Sequence, residues 1–241
     1  MPGPPVIRAL LFDFDGLILE TEEPLYMAWQ RIYREHGLEM PLDRWLTNVG
    51  TWPSPFDPMI DLAERTGRPV DEARLNALKR RYYDEAIALQ GLLPGVQGYL
   101  DEARDLGLRL AVVSSSSRKW IVKHLDRFAI RERFDAIVCK DDVGRAKPDP
   151  ELYRAALRRL EVRGDEALAF EDSKNGIQAA KAAGIICVAV PTAMTVGMDL
   201  SQADLRLSSL EEMPLADLIR RTSSGRSRPP APGRPGAPIS D

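Results

Sequence analysis

The stretch Val6-Ile7-Arg8-Ala9-Leu10-Leu11-Phe12-Asp13-Phe14-Asp15-Gly16 decides how this chain is read. From Val6 to Phe12 it is apolar except for Arg8. A near-continuous apolar run of that length suits a strand buried on both faces of a parallel sheet. It then stops on two aspartates and a glycine. Residues two apart in an extended segment point the same way, so Asp13 and Asp15 can share one small volume at the strand's carboxyl end. Two carboxylates that close cannot both stay charged unless a cation or a shared proton intervenes. A hard divalent ion with oxygen ligands fits, and magnesium is the usual ion beside phosphate. Taken alone, the pair is equally a polar turn, because Asp and Gly favour turns.

Outward from this strand the chain changes character twice. Residues 21–89 show no strand pattern, only helix-like segments at 22–35, 42–49, 58–65 and 71–89, punctuated by Pro41, Pro53, Pro55 and Gly67. After Gly91-Leu92-Leu93-Pro94-Gly95 an alternation begins. Helices are predicted at 97–106, 119–128, 150–160 and 175–183, and strands at 109–113, 136–139, 167–170 and 185–190. Strands separated by helices of this length imply right-handed crossovers and a parallel sheet. The expected fold is α/β, a Rossmann-like three-layer sandwich with a parallel sheet plus an inserted all-helical cap domain. Residues 1–19 and 90–221 would form the core domain and 20–89 the cap. An insertion after the first strand lies over the carboxyl ends of the strands, where open α/β sheets bind ligands. Glu20-Thr21 and Gln90-Gly91 would be its hinges. Residues 222–241, rich in Pro, Gly, Ser and Arg, cannot offset their ordering entropy and read as a disordered tail.

The bulk composition excludes several classes. A length of 241 residues suits one domain with an inserted subdomain. Lys and Arg number 33 against 36 Asp and Glu, so no basic field awaits nucleic acid. No apolar run approaches the ~20 residues of a membrane helix. Met1 to Pro5 carry no export signal, so a cytoplasmic location is expected. Cys139 and Cys187 each sit in a short apolar run and read as buried strand thiols in a reducing compartment. His36 and His124 have no ligand-spaced partner, which gives zinc no support.

Three more elements carry chemistry. Ser114 closes the run Leu110-Ala111-Val112-Val113 and is followed by Ser115, Ser116 and Ser117. Hydroxyls and backbone N–H groups at a strand-to-helix turn cradle anionic oxygens, although serine runs also serve as helix caps. Ser114 is therefore a candidate phosphoryl contact, with Ser115 and Ser116 as substrate-binding candidates. Lys147 lies in Arg145-Ala146-Lys147-Pro148-Asp149-Pro150. Pro148 holds the residue before it extended, while Asp149 caps a helix and Pro150 enters its first turn. A lysine so fixed supplies a point charge for a phosphoryl group. Glu171-Asp172 end the strand Ala167-Leu168-Ala169-Phe170 and offer further oxygen ligands. All four elements fall on the same edge of one sheet, which places nucleophile, acid/base, anion cradle, cation and metal ligands together.

In that order and around a helical insertion, these residues resemble the haloacid dehalogenase superfamily, specifically its beta-phosphoglucomutase-like branch. Asp13-Phe14-Asp15-Gly16-Leu17 with Glu20-Thr21-Glu22 is similar to the first motif. Ser114 is similar to the second, Lys147-Pro148-Asp149-Pro150 to the third, and Glu171-Asp172-Ser173 with Asn175-Gly176 to the fourth. The resemblance implies a phosphatase in which Asp13 attacks phosphorus and forms an aspartyl-phosphate. Asp15 would protonate the leaving oxygen and then deprotonate water. It implies Mg2+ at Asp13, Asp15 (through its backbone carbonyl) and Asp172, with Glu171 nearby, and Ser114 and Lys147 on the phosphoryl oxygens. The cap would close over the site. The partner would be a small phosphorylated metabolite, with neither nucleic acid nor membrane involved, and the chain would act as a monomer.

Some positions depart from the pattern. Glu20 stands where the family has Asp, Leu25 where the mutases carry His, and Gly50 is followed by Thr51-Trp52-Pro53-Ser54-Pro55 with no cation. A mutase must grip a second phosphate, which calls for a positive group. Lys79-Arg80-Arg81 could supply one but reads as a solvated helix face. The departures favour hydrolysis over phosphomutase chemistry and make Trp52 a candidate wall for a more apolar substrate. Asp15 argues against the dehalogenase branch. The position of the acceptor aspartate on the first strand argues against a signalling receiver domain. The complete motif set argues against a catalytically dead binding module.

Overall fold

The computed structural model describes residues 6–49 and 54–224. Strand β1 (Ala9–Phe12) is followed by four helices: α1 (Glu22–Glu35), α2 (Leu42–Leu46), α3 (Pro58–Thr66) and α4 (Glu72–Ala88). The alternating half comprises α5 (Val96–Asp105), β2 (Arg109–Val113), α6 (Arg118–Arg127), β3 (Ala136–Val138), α7 (Glu151–Leu160), β4 (Ala167–Glu171), α8 (Lys174–Ala182), β5 (Ile186–Ala189), β6 (Leu205–Arg206) and α9 (Leu215–Ser224). The strands form one parallel sheet in the order β3-β2-β1-β4-β5-β6.

Both faces of the sheet are covered, as its run-like strands require. Leu10, Phe12, Val112 and Phe170 point to one face, beneath α5, α6 and α9. There Phe12 stacks on Phe170 with centroids 4.9 Å apart. Ala9, Leu11, Ala111 and Ala169 point to the other, beneath α7 and α8. Small residues on that side let α7 and α8 lie close, and Leu152, Tyr153 and Leu160 fill the space. Each fully buried Leu or Phe contributes roughly 1.5–3 kcal/mol. The three-layer sandwich is therefore the expected one. Cys139 and Cys187 are free and buried, as expected.

The sheet register brings the carboxyl ends into line. Phe12 is level with Val112 on one side and with Phe170 on the other. The next residue on each central strand, Asp13 and Glu171, therefore emerges side by side, with Ser114 following the end of β2 one residue further on.

The helices α1–α4 build a separate core around Trp29, Ile32, Tyr33, Leu62 and Tyr82. Buried Asp61 ties it together, accepting the Tyr33 hydroxyl at 2.9 Å and pairing with Arg44 and Arg65. Asn48 clasps the loop after α2, accepting from Phe56 N–H at 2.9 Å and donating to its carbonyl at 2.7 Å. Gly50, Thr51, Trp52 and Pro53 lie outside the described residues, so the suggested Trp52 wall does too. Where the insertion begins and ends, Leu19 and Leu92 form a bridge and Leu93 N–H donates to Ile18 O at 3.0 Å.

Several elements differ from the sequence reading. Helix α2 stops at Leu46, where the Thr47 hydroxyl turns back to Arg44 O at 2.7 Å and the following residues form a turn. Strand β6 and helix α9 were not foreseen. Helix α9 runs to Ser224, past the expected start of the tail, and Thr222 returns its hydroxyl to Leu218 O at 2.9 Å. Residues 225–241 of that tail lie outside the described residues.

Candidate active site

Strand β1 delivers Asp13, held by its own N–H to Phe170 O at 3.0 Å. Lys147 meets it from the loop before α7, donating to Asp13 Oδ1 at 2.8 Å and reaching Glu171 Oε1 at 2.7 Å. Its side chain is only 6% exposed, so it is a built-in cation and not a solvated surface lysine. Burial opposes its charge, but Asp13 and Glu171 outweigh that and raise its pKa. Asp149 accepts Glu151 N–H at 3.0 Å and orders the start of α7. Glu151 in turn accepts from Gly144 and Arg145 N–H, so the Lys147 loop is anchored at both ends.

Asp13, Glu171 and Asp172 are buried, and one carboxylate oxygen from each lies within 4.8 Å of the others. Burial, then the charge of Asp13, raises the pKa of Glu171 to about 8; burial, then Asp13 and Glu171, lifts that of Asp172; and burial, with Asp15 adding to it against the pull of Lys147, lifts that of Asp13. Glu171 Oε1 takes the Tyr153 hydroxyl as well as Lys147, while buried Oε2 has no hydrogen-bond partner among the described residues. One ammonium for three crowded carboxylates, with an oxygen left over, is a donor set that fits a hard divalent cation. Two glycines make the crowding possible. A Cβ on Gly16, whose φ is +79°, would stand 2.2 Å from Asp172 Oδ2, and one on Gly176 would stand 1.7 Å from Glu171 Oε2.

The Asp15 carboxylate is not among the three grouped carboxylates. Oδ2 accepts the Ser116 hydroxyl at 2.6 Å and the Ser114 hydroxyl at 3.3 Å, and Oδ1 accepts the Trp120 indole N–H at 3.0 Å. The serine run divides its labour. Ser114 Oγ accepts Ser116 N–H at 3.0 Å, and Ser117 caps α6 by accepting Trp120 N–H. Ser115 is exposed, so the structure does not bring it into the cluster beside Ser114 and Ser116.

Sequence reasoning missed Trp120 and Tyr153, and it gave Glu22 no role beyond its place in the first motif. Glu22 opens α1, and burial, then the charges of Asp15 and Glu20, raises its pKa to about 7. Glu20 does more than fill a hinge. Its Oε1 accepts Glu22 N–H at 2.9 Å and Glu23 N–H at 3.2 Å, so it caps α1. In Lys79-Arg80-Arg81, Lys79 lies over Trp29, while Arg81 donates to the Tyr82 hydroxyl at 2.9 Å and pairs with Glu85.

The family described as Haloacid dehalogenase-like hydrolase matches residues 10–190. The chain belongs to that family. The haloacid dehalogenase-like chain is 42% identical over 219 residues to the candidate phosphatase YhcW of Bacillus subtilis (strain 168), covering 91% of this chain and 99% of that protein. It is 31% identical to the validoxylamine A 7'-phosphate phosphatase of Streptomyces hygroscopicus subsp. limoneus, covering 86% and 95%. Among solved structures, a candidate beta-phosphoglucomutase from Thermotoga maritima superposes with a TM-score of 0.74 at 27% identity, covering 89% of this chain and 99% of that one. The resemblance to the beta-phosphoglucomutase-like branch of the superfamily holds.

Proposed function

We propose that this phosphoric monoester hydrolase is magnesium-dependent and releases phosphate from a small phosphorylated metabolite, a sugar phosphate or similar ester, through an aspartyl-phosphate on Asp13. The observation that carries the reading is the division of labour between the two motif aspartates. Asp13 faces Lys147 and the acidic cluster, whereas Asp15 faces two serine hydroxyls and an indole. These surroundings support Asp13 as nucleophile and Asp15 as proton carrier. The relatives named as phosphatases support the class of substrate.

In the first step Asp13 bonds to phosphorus while the ester bond breaks, and Asp15 protonates the leaving alcohol. In the second, Asp15 takes a proton from water, the water oxygen bonds to phosphorus, and Asp13 departs as carboxylate. Ser114, Ser116 and Lys147 bind and orient the phosphoryl oxygens. Asp13, Asp172 and the Asp15 carbonyl would hold the magnesium, with Glu171 beside them. When bound, the ion neutralises the crowded carboxylates and withdraws charge from the phosphoryl group. Helices α1–α4 act as a cap that excludes bulk water.

The test is to incubate purified protein with Mg2+ and a panel of phosphate esters. Release of inorganic phosphate, lost on chelation, is the expected result. Isomerisation of a sugar phosphate without release would replace hydrolysis by mutase chemistry.

A further inference from the structure

We propose that Trp120 is a positioning residue that decides which oxygen of Asp15 carries the catalytic proton. The inference rests on Asp15 being the proton carrier, as proposed above. An indole N–H donates and never accepts. At 3.0 Å from Asp15 Oδ1 it therefore favours the proton on the other oxygen, because a protonated carboxyl oxygen is a much weaker acceptor than a bare one. Oδ2 faces the Ser116 and Ser114 hydroxyls at 2.6 and 3.3 Å. A hydroxyl rotates and accepts as readily as it donates, so Oδ2 tolerates both protonation states. The proton consequently rides on Oδ2, beside the two serines at the end of β2.

The atoms then balance. In the first step the Oδ2 proton passes to the ester oxygen as its bond to phosphorus breaks and the Asp13–phosphorus bond forms. In the second, Oδ2 receives a proton from water as the water–phosphorus bond forms and the aspartyl bond breaks. Oδ1 stays on the indole throughout, which fixes the carboxylate plane for both steps.

The indole is itself held in place. Tyr83 of α4 stacks on it with centroids 5.7 Å apart and planes 22° apart. His124, one turn further along α6, packs edge-on at 4.2 Å. Tyr83 belongs to the inserted helices, so Trp120 passes their position on to Asp15. A 1 Å misplacement at a reacting group can cost about 100-fold in rate, and this clamp limits such drift.

The decisive experiment compares two esters. An alkyl phosphate such as glycerol phosphate needs its leaving oxygen protonated, whereas p-nitrophenyl phosphate leaves without that help. Trp120→Phe keeps the ring and deletes the N–H. Its loss of kcat/KM, which reports the first step, should be about tenfold greater on the alkyl ester than on the aryl ester, a part of the 10²–10⁴-fold that general acid–base catalysis contributes. Tyr83→Leu keeps the N–H but removes the stack, and should give the same selective loss at smaller size, with Tyr83→Phe restoring it. Should Trp120→Phe not fold, the Tyr83 pair decides. Equal losses on the two esters, or none on either, would overturn the positioning role. Wild-type protein that turns over neither ester would overturn the hydrolase reading and the inference with it.

Discussion

The ammonium group of Lys147 donates to Asp13 Oδ1 at 2.8 Å, and both side chains are buried. Replacing the lysine by methionine removes the only side-chain cation paired with the acidic cluster among the described residues. Lys147→Met should lower kcat by about 10²–10³, the usual effect of losing one charge-stabilising donor. It should also destabilise the metal-free protein by about 3–5 kcal/mol, the cost of breaking a buried ion pair. Steady-state kinetics and denaturant melts check the two effects separately.

Asp13→Asn should leave no measurable turnover and no phosphorylated protein. Because the aspartate is crowded by Glu171 and Asp172, the neutral amide should melt no lower than wild type without metal. Acid-quench labelling and thermal melts read these outcomes. Retained activity would show that Asp13 is not the nucleophile.

The acidic cluster also predicts a pH dependence. Glu171 titrates at about 8 when folded and near its ordinary 4.5 when unfolded, with Asp13 and Asp172 displaced in the same direction. A raised carboxyl pKa means that the folded state holds protons the unfolded state has released. The associated stability is present below about 4.5 and fades as pH rises towards 8. With a chelator present, Tm should therefore fall across this window. Magnesium at about a hundred times its Kd should restore about 2.7 kcal/mol, and more visibly at pH 8 than at pH 5.

Gly176→Ala places a methyl group where Glu171 Oε2 now lies, 1.7 Å away. The carboxylate must move, at a cost of about 1–3 kcal/mol for overpacking. The magnesium concentration for half-maximal activity should rise several-fold while the fold survives. An unchanged magnesium requirement would separate Glu171 from the metal.

His124 should make the protein sensitive to mild acid. Neither ring nitrogen has a hydrogen-bond partner among the described residues, and the side chain is buried beside Trp120 and Phe14. Burial, then the nearby Lys123 and Arg127, pulls its pKa down to about 4. Only the unfolded chain binds the extra proton between its ordinary 6.5 and that value, so this group's contribution to stability declines as pH falls from 6.5 towards 4. His124→Phe should flatten that part of the stability curve in circular-dichroism melts.

Much of this was legible in the sequence because burial on both faces forces continuous apolar runs. Residues 109–113 and 22–35 were read with the bounds that the structure shows. Asp13, Glu171 and Asp172 were legible because they close or follow such runs, which a parallel sheet gathers on one edge, and Lys147 because Pro148 and Pro150 stiffen the connection that carries it. The partners lying between motifs were not. Trp120 belongs to a helix face, where a tryptophan reads as packing. Tyr153 reads as core, although its hydroxyl reaches Glu171. The serine run could not be divided from composition, since only the turn geometry sends Ser116 inward and leaves Ser115 outside. Strand β6 spans only Leu205–Arg206, too short for any periodicity.

The Leu19–Leu92 bridge joins the chain's departure from the sheet to its return. In topological terms the helical insertion is a side branch that leaves and rejoins the sheet at one place and touches the sheet's covering helices again where Tyr83 stacks on Trp120. Residues between these leucines can be lengthened, shortened or exchanged without shifting the register of any strand. The helices can therefore vary while the strand ends that gather Asp13, Glu171 and Asp172 keep their register, provided the Tyr83–Trp120 contact is kept.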